Sequence, residues 1–231
     1  MKKLITLTLL LLMLSLSVSA LAVTYQLGNA VDDTWGEATS NVNLHTSTYL
    51  SFGAYSSGTD YFSDAYYRFA LNIERGSTID SAVLRFYCQG TRSGTFHTTI
   101  FGVQKDNKWE TSDGFNATSY ANCTALDATT KYGTSVEWLS VPAWTVNNWY
   151  SSPEIKTVLQ AQIDDVSYDP DHAEDKYVAF AIRRGSVLNP SDDTTRRTSY
   201  SYDGNGVNSV ELVVTYTPPA AASQVIFVTE F

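Results

Sequence analysis

The chain has 231 residues, 43% of them hydrophobic and only 17% charged, which leaves enough apolar side chains for a full core and excludes global disorder. Its 24 Asp and Glu outweigh 15 Lys and Arg, for a net charge of −9, and this argues against a nucleic-acid partner, which needs clustered Lys and Arg. The length fits one domain, with two small ones as the alternative.

Lys2 and Lys3 precede an apolar run from Leu4 to Leu16, and small residues from Ser17 to Ala22 follow, offering cleavage after Ala20 or Ala22. Residues 1–22 therefore read as a secretory signal peptide. A retained anchor is the alternative, since Leu4 to Val23 is about long enough to span a bilayer. Cleavage removes two positive charges and no acid, taking the net charge from −9 to −11. The expected product is secreted or held at the cell surface, outside the membrane. Export permits a disulfide, and Cys88 and Cys123 are the two cysteines available; two free thiols are the other reading.

Next come segments that alternate with period two, as half-buried strands do. Tyr67, Phe69 and Leu71 share one face; Ala82, Leu84, Phe86 and Cys88 form a second row; Val178, Phe180 and Ile182 a third; Val210, Leu212, Val214 and Tyr216 a fourth. Arg68, Arg85, Arg183 and Glu211 occupy the opposite positions and read as the wet faces of antiparallel sheets. Gly-, Ser-, Asn- and Asp-rich stretches at 56–58, 92–94 and 203–206 punctuate them. Together with the abundance of Tyr, Thr and Val, which favour strands, the pattern predicts an all-β, jelly-roll-like antiparallel β-sandwich.

One short helix is expected, with Ser152 as its cap, Pro153 in its first position, and Ile155, Val158, Leu159 and Ile163 on its buried face. An acidic loop follows at 164–171. Residues 23–217 thus form the sandwich module, and 218–231 a Pro/Ala linker with a short strand at Val225–Val228. That strand could pair with a sheet edge of a second copy, giving a structural or filament-forming protein, or complete its own sandwich.

Tyr67-Arg68-Phe69 is followed by Ile73-Glu74-Arg75-Gly76-Ser77-Thr78-Ile79-Asp80-Ser81-Ala82-Val83-Leu84-Arg85-Phe86. Ser135 to Trp138, Val141 to Trp144, Ser152 to Ile155, and Arg197 to Gly204 continue an ordered set covering roughly Tyr25 to Tyr216. This set resembles the extracellular sandwich modules called DNRLRE domains, in which an RF strand is followed by an "I-x-x-G-(A/S)-T-I-x-S-A-x-L" hairpin and which are similar to the family-96 carbohydrate-binding modules. The resemblance implies a secreted module that binds a polysaccharide or cell-surface glycan without cleaving it. It also admits purely structural uses.

Catalysis finds little support, because neither G-x-S-x-G nor H-E-x-x-H occurs and His45, His97 and His172 are far apart. A polysaccharide-cleaving enzyme with paired carboxylates is the least favoured reading. Glycan binding by a sandwich needs aromatic faces for sugar rings and polar groups for their hydroxyls. Tyr49, Tyr55 and Tyr61 with Asp60 surround a small-residue loop, while Trp35 and Trp149 sit in polar company; these are the expected ligand-binding residues, with capping of the core as the alternative. Trp138 and Trp144 read as core. Asp32, Asp33, Asp192 and Asp193 offer hard oxygen ligands for a structural calcium ion, or are solvated loop acids. Arg183, Arg184, Arg196 and Arg197 would engage an acidic polysaccharide or pair internally. Two N-x-T sequons, at Asn116 and Asn122, support an exposed loop from Asp113 to Thr124.

Overall fold

A computed structural model describes residues 19–37, 44–56, 60–104, 114–115, 131–184 and 195–220. Its strands are β1 (Leu21–Gln26), β2 (Asp33–Glu37), β3 (Tyr49–Ser56), β4 (Asp60–Ala70), β5 (Thr78–Gly90), β6 (Phe96–Val103), β7 (Lys131–Val141), β8 (Trp149–Ser151), β9 (Tyr177–Arg184), β10 (Arg196–Tyr200) and β11 (Glu211–Thr217). Two short helices, α1 (Lys156–Ile163) and α2 (Tyr202–Asn205), complete the described fold. Every strand pairing is antiparallel. The order β1-β11-β5-β10-β3-β4-β9-β6-β7, with β2 on β4 and β8 on β5, describes one sheet curled into a sandwich-like all-β fold.

The four predicted apolar rows all face the interior. Phe86 lies at its centre, with ring centroids 5.5 Å from Phe52, 5.9 Å from Tyr67, 5.9 Å from Trp138 and 5.5 Å from Trp144. Trp138 and Trp144 are therefore core, as their sequence context predicts. The stretch Ile73 to Ser77 is not a hairpin between neighbours, however. β4 pairs with β2, β3 and β9, whereas β5 pairs with β8, β10 and β11. The turn closed by Ser77 N–H donating to the Glu74 carbonyl at 3.1 Å thus carries the chain from one part of the curled sheet to another.

Arg68 departs from the expected wet face. It is buried, its Nε 2.6 Å from Asp32 Oδ1 and its guanidinium 4.2 Å from the centre of the Tyr177 ring. The reason is Gly114-Phe115, which covers this side of β4 and β9 and closes a second apolar cluster of Tyr66, Val103, Phe115, Ala179 and Ala181. Phe115 N–H donates to the Val31 carbonyl at 2.8 Å. Gly114 sits at φ +54, and a Cβ there would fall 2.1 Å from the Val31 oxygen, so only glycine lets the segment approach this closely. These two residues of the expected exposed loop are accordingly buried. The sequons lie outside the described residues.

The helix begins later than predicted. Ser152 does not cap it; its Oγ accepts from Leu84 N–H at 3.0 Å and donates to the Pro153 carbonyl at 2.7 Å. Glu154 takes the capping task, its Oε1 accepting from Lys156 N–H at 2.9 Å and from Ala82 N–H at 2.6 Å. Ser152 and Glu154 instead continue the hydrogen bonding of β5 beyond β8, because that edge of the strand has no longer partner. The buried face is as predicted, with Ile155, Val158, Leu159 and Ile163 all in the core.

β1 starts at Leu21, paired with Tyr216 of β11. Cleavage after Ala20 would leave it whole, whereas the boundary at residue 23 would remove its first two residues. Residues 1–18 and the Val225–Val228 segment lie outside the described residues. Among the described residues no helix is long and apolar enough to cross a membrane.

Candidate functional site

The expected binding residues whose side chains are described lie in different environments. Trp35 is buried in the core at 3% exposure, because alternation along β2 turns it inward opposite Ala65. Tyr49 is half-buried with its ring 5.3 Å from Trp35. Tyr55 pairs with Tyr61 and Ser56 with Asp60 along the β3–β4 backbone; the side chains of Tyr55, Asp60 and Tyr61 lie outside those described.

Asp32 and Asp33 both accept from protein groups. Asp32 already has the Arg68 cation at 2.6 Å and accepts from Gly28 N–H at 3.1 Å. Burial pushes its carboxyl up, against the opposing pull of Arg68. Asp33 points inward beside Tyr67, its Oδ2 accepting from Tyr202 N–H at 2.8 Å. Among the described residues no group of three His, Cys, Asp or Glu is placed to hold a metal ion. Asp192 and Asp193 lie outside them.

Cys88 is a buried free thiol, its Sγ 3.3 Å from the Gly90 carbonyl. It points into the core with Phe86, and its proposed partner Cys123 lies outside the described residues. Burial pushes the thiol up, which disfavours the reactive thiolate. Arg183 and Arg197, two of the four arginines, have internal partners: Arg183 Nε is 3.1 Å from Asp64 Oδ2. Arg197 is buried and donates from Nε to the Pro142 carbonyl at 2.7 Å, with further bonds to the Gly94 and Val141 carbonyls. Desolvation lowers Arg197 to about 10. Neither side chain is free for an acidic ligand.

Asp33 illustrates how a polar group inside the sandwich behaves. Asp33 Oδ1 is buried without a hydrogen-bond partner, close to the buried Tyr67 hydroxyl. Burial, and to a lesser extent the neighbouring Asp203 and Asp32, push the Asp33 carboxyl well above the usual range, while the Tyr202 N–H pulls it back. Its contribution is then greatest below the ordinary carboxylate pKa and is lost as pH rises through the raised value. Asp33→Asn keeps an acceptor for Tyr202 and removes the ionisation. It should match the wild type in acid and exceed it in stability at neutral and alkaline pH in urea unfolding; a variant whose deficit grows with pH would contradict this assignment.

The residues that do assemble lie on the outward face of β5 and its neighbours. Tyr200 of β10, Tyr87 of β5 and Trp149 of β8 form a row across three strands, with Tyr87 centroids 6.0 Å from Tyr200 and 5.2 Å from Trp149. All three rings are partly exposed. Two residues along β5 on the same face, Arg85 places its guanidinium 4.7 Å from the centre of the Trp149 ring and its Nη1 3.0 Å from Glu211 Oε2. Gln26, opposite Glu211, and Ser151, opposite Arg85, extend this second row in both directions. Local sequence explains the arrangement: because Ala82, Leu84, Phe86 and Cys88 are inward, Arg85 and Tyr87 must be outward.

Of the expected residues Trp149 belongs to this site, and Tyr49 is the cross-strand partner of Tyr200 on β3. Tyr87 was signalled by the same alternation that identified the core, as an aromatic side chain at an outward position, whereas Tyr200 belongs to none of the predicted rows. α2 holds the end of β10 in place, because Ser201 Oγ accepts from Gly204 N–H at 3.1 Å and donates to the Ser47 carbonyl at 2.5 Å. A Cβ on Gly204 would fall 1.8 Å from the Thr48 oxygen. The histidines are elsewhere and apart, His97 accepting from Ser140 N–H at 3.2 Å and His172 pairing with Asp175 at 2.9 Å.

Fold and site together define a β-sandwich-like protein with an aromatic and polar strip on one outer face. No family model matches the chain, and no curated protein matches it.

Proposed function

We propose that the protein is an exported, non-catalytic module that binds carbohydrate through the Tyr200–Tyr87–Trp149 row. The observation that carries this reading is the row itself. Three partly exposed rings stand side by side at 5.2 and 6.0 Å on an outer sheet face. Aromatic faces accept the C–H sides of sugar rings, and the adjacent Arg85 and Ser151 can hydrogen-bond hydroxyls. The likeness of the ordered motifs to DNRLRE domains supports the same reading, as does the signal-like N-terminus.

Replacing Trp149 with alanine should weaken retention on a binding polysaccharide about tenfold or more, equivalent to ~1.4 kcal/mol. Affinity electrophoresis of wild type and variant, with circular dichroism to check folding, measures it. Undiminished retention by a folded Trp149→Ala protein would remove the row from the binding site.

A further inference from the structure

We infer that the ligand of this strip is an uncharged polysaccharide whose chain lies across the strands; this rests on the carbohydrate reading above and narrows its ligand class. The direction follows from the two rows. Tyr200, Tyr87 and Trp149 run from β10 over β5 to β8, and Gln26, Glu211, Arg85 and Ser151 run beside them from β1 to β8. Neighbouring strands are ~4.8 Å apart and residues 85 and 87 of one strand are ~6.7 Å apart. An extended sugar chain laid along the aromatic row therefore keeps one edge against polar groups throughout, whereas a chain laid along β5 would leave the rings after one residue.

The charge class follows from Arg85. Its guanidinium is the one cation of the two rows, and it is already held by Glu211 at 3.0 Å and stacked on Trp149. Glu211 is the more buried partner, with its side chain 13% exposed against 36% for Arg85. A polymer carrying carboxylates or sulfates would have to draw Arg85 away and leave the largely buried Glu211 carboxylate with no cation, its remaining side-chain donor being the neutral Gln26 amide at 3.5 Å, which is costly. The chain's net charge of −9 adds long-range repulsion of any polyanion. A hydroxyl-rich neutral chain requires no such exchange. It can use the remaining N–H groups of Arg85 and the exposed Ser151 hydroxyl with the ion pair intact.

The test is native affinity electrophoresis of the full chain in gels containing mixed-linkage β-glucan, galactomannan, alginate or polygalacturonate, each at low and high salt. Retardation in an uncharged gel, insensitive to salt and weakened at least about tenfold in both Tyr87→Ala and Tyr200→Ala, is expected. Thermal melts of both variants establish that they are folded. Retardation by alginate or polygalacturonate alone, abolished by salt, would overturn the neutral class and leave carbohydrate binding standing. No retardation in any gel would overturn both. Retardation in an uncharged gel that survives in both tyrosine variants would overturn the site.

Discussion

Replacing Arg68 with methionine should destabilise the protein by ~3–5 kcal/mol, as expected when one partner of a buried ion pair is removed. Arg68 is 1% exposed, and Asp32 at 2.6 Å is 3% exposed. Without the guanidinium, Asp32 keeps only backbone donors such as Gly28 N–H. Burial already pushes the Asp32 carboxyl up while Arg68 is present; removing the arginine deletes the strongest opposing pull. The variant's Asp32 would then titrate further above its unfolded value of ~3.9. Its stability deficit should accordingly be small in acid and grow as pH rises above that value. Arg68→Met combined with Asp32→Asn should recover much of the loss, since no uncompensated charge remains. Urea unfolding of the two variants from acid to neutral pH measures both effects, and a deficit that shrinks with rising pH would show that Asp32 is not the group left unpaired.

Arg68 also marks where period-two reading stops being informative. Alternation along β4 assigns it correctly to the face opposite Tyr67 and Phe69, but the sequence gives no local sign that this face is covered. What covers it is Phe115, which lies 47 positions away along the chain. Arg197 is the converse case. Alternation with Ser199 places it inward, and charge argues against that; the carbonyls of Gly94, Val141 and Pro142 accept its donors and settle the conflict. Strand identity, the core rows and the buried face of α1 are encoded within a few residues, so they were legible. The passage from β4 to β5, and Ser152 and Glu154 bonding to β5 as well as to the helix start, depend on which strands are neighbours. A turn sequence cannot report that.

The candidate site follows the same division. Tyr87 outward on β5 is legible, because its inward neighbours Phe86 and Cys88 are unambiguous. That Tyr200 and Trp149 flank it is a matter of pairing: β10 and β8 bond to β5 from opposite edges, although Tyr200 lies 51 positions after Trp149 along the chain. Reading polar company around Trp35 as exposure failed for a simpler reason. Asp33 and Trp35 are both inward on β2, and the carboxyl tolerates this by favouring its neutral form and accepting from Tyr202.

Phe86→Ala should cost ~3–5 kcal/mol, the range for removing a fully buried aromatic ring, and lower the melting temperature by on the order of 10 °C for a chain of this size. The ring is 0% exposed and contacts Phe52, Tyr67, Trp138 and Trp144, four side chains from four different segments. Collapse into the vacated space is hindered because each neighbour is held on its own strand or bridge: Trp144 by backbone bonds to Arg92 at 2.9 and 3.0 Å, Tyr67 by pairing with both Asp33 and Phe180. The cavity term should therefore persist. Phe86→Leu, which refills most of the volume, should lose less than half as much, and Val83→Ala, outward on the same strand, should stay within about 1 kcal/mol. Thermal melts of the three variants order these effects; if Val83→Ala proved as damaging as Phe86→Ala, the assignment of inward and outward faces along β5 would be wrong, and with it the outward position of Tyr87 on which the binding row depends.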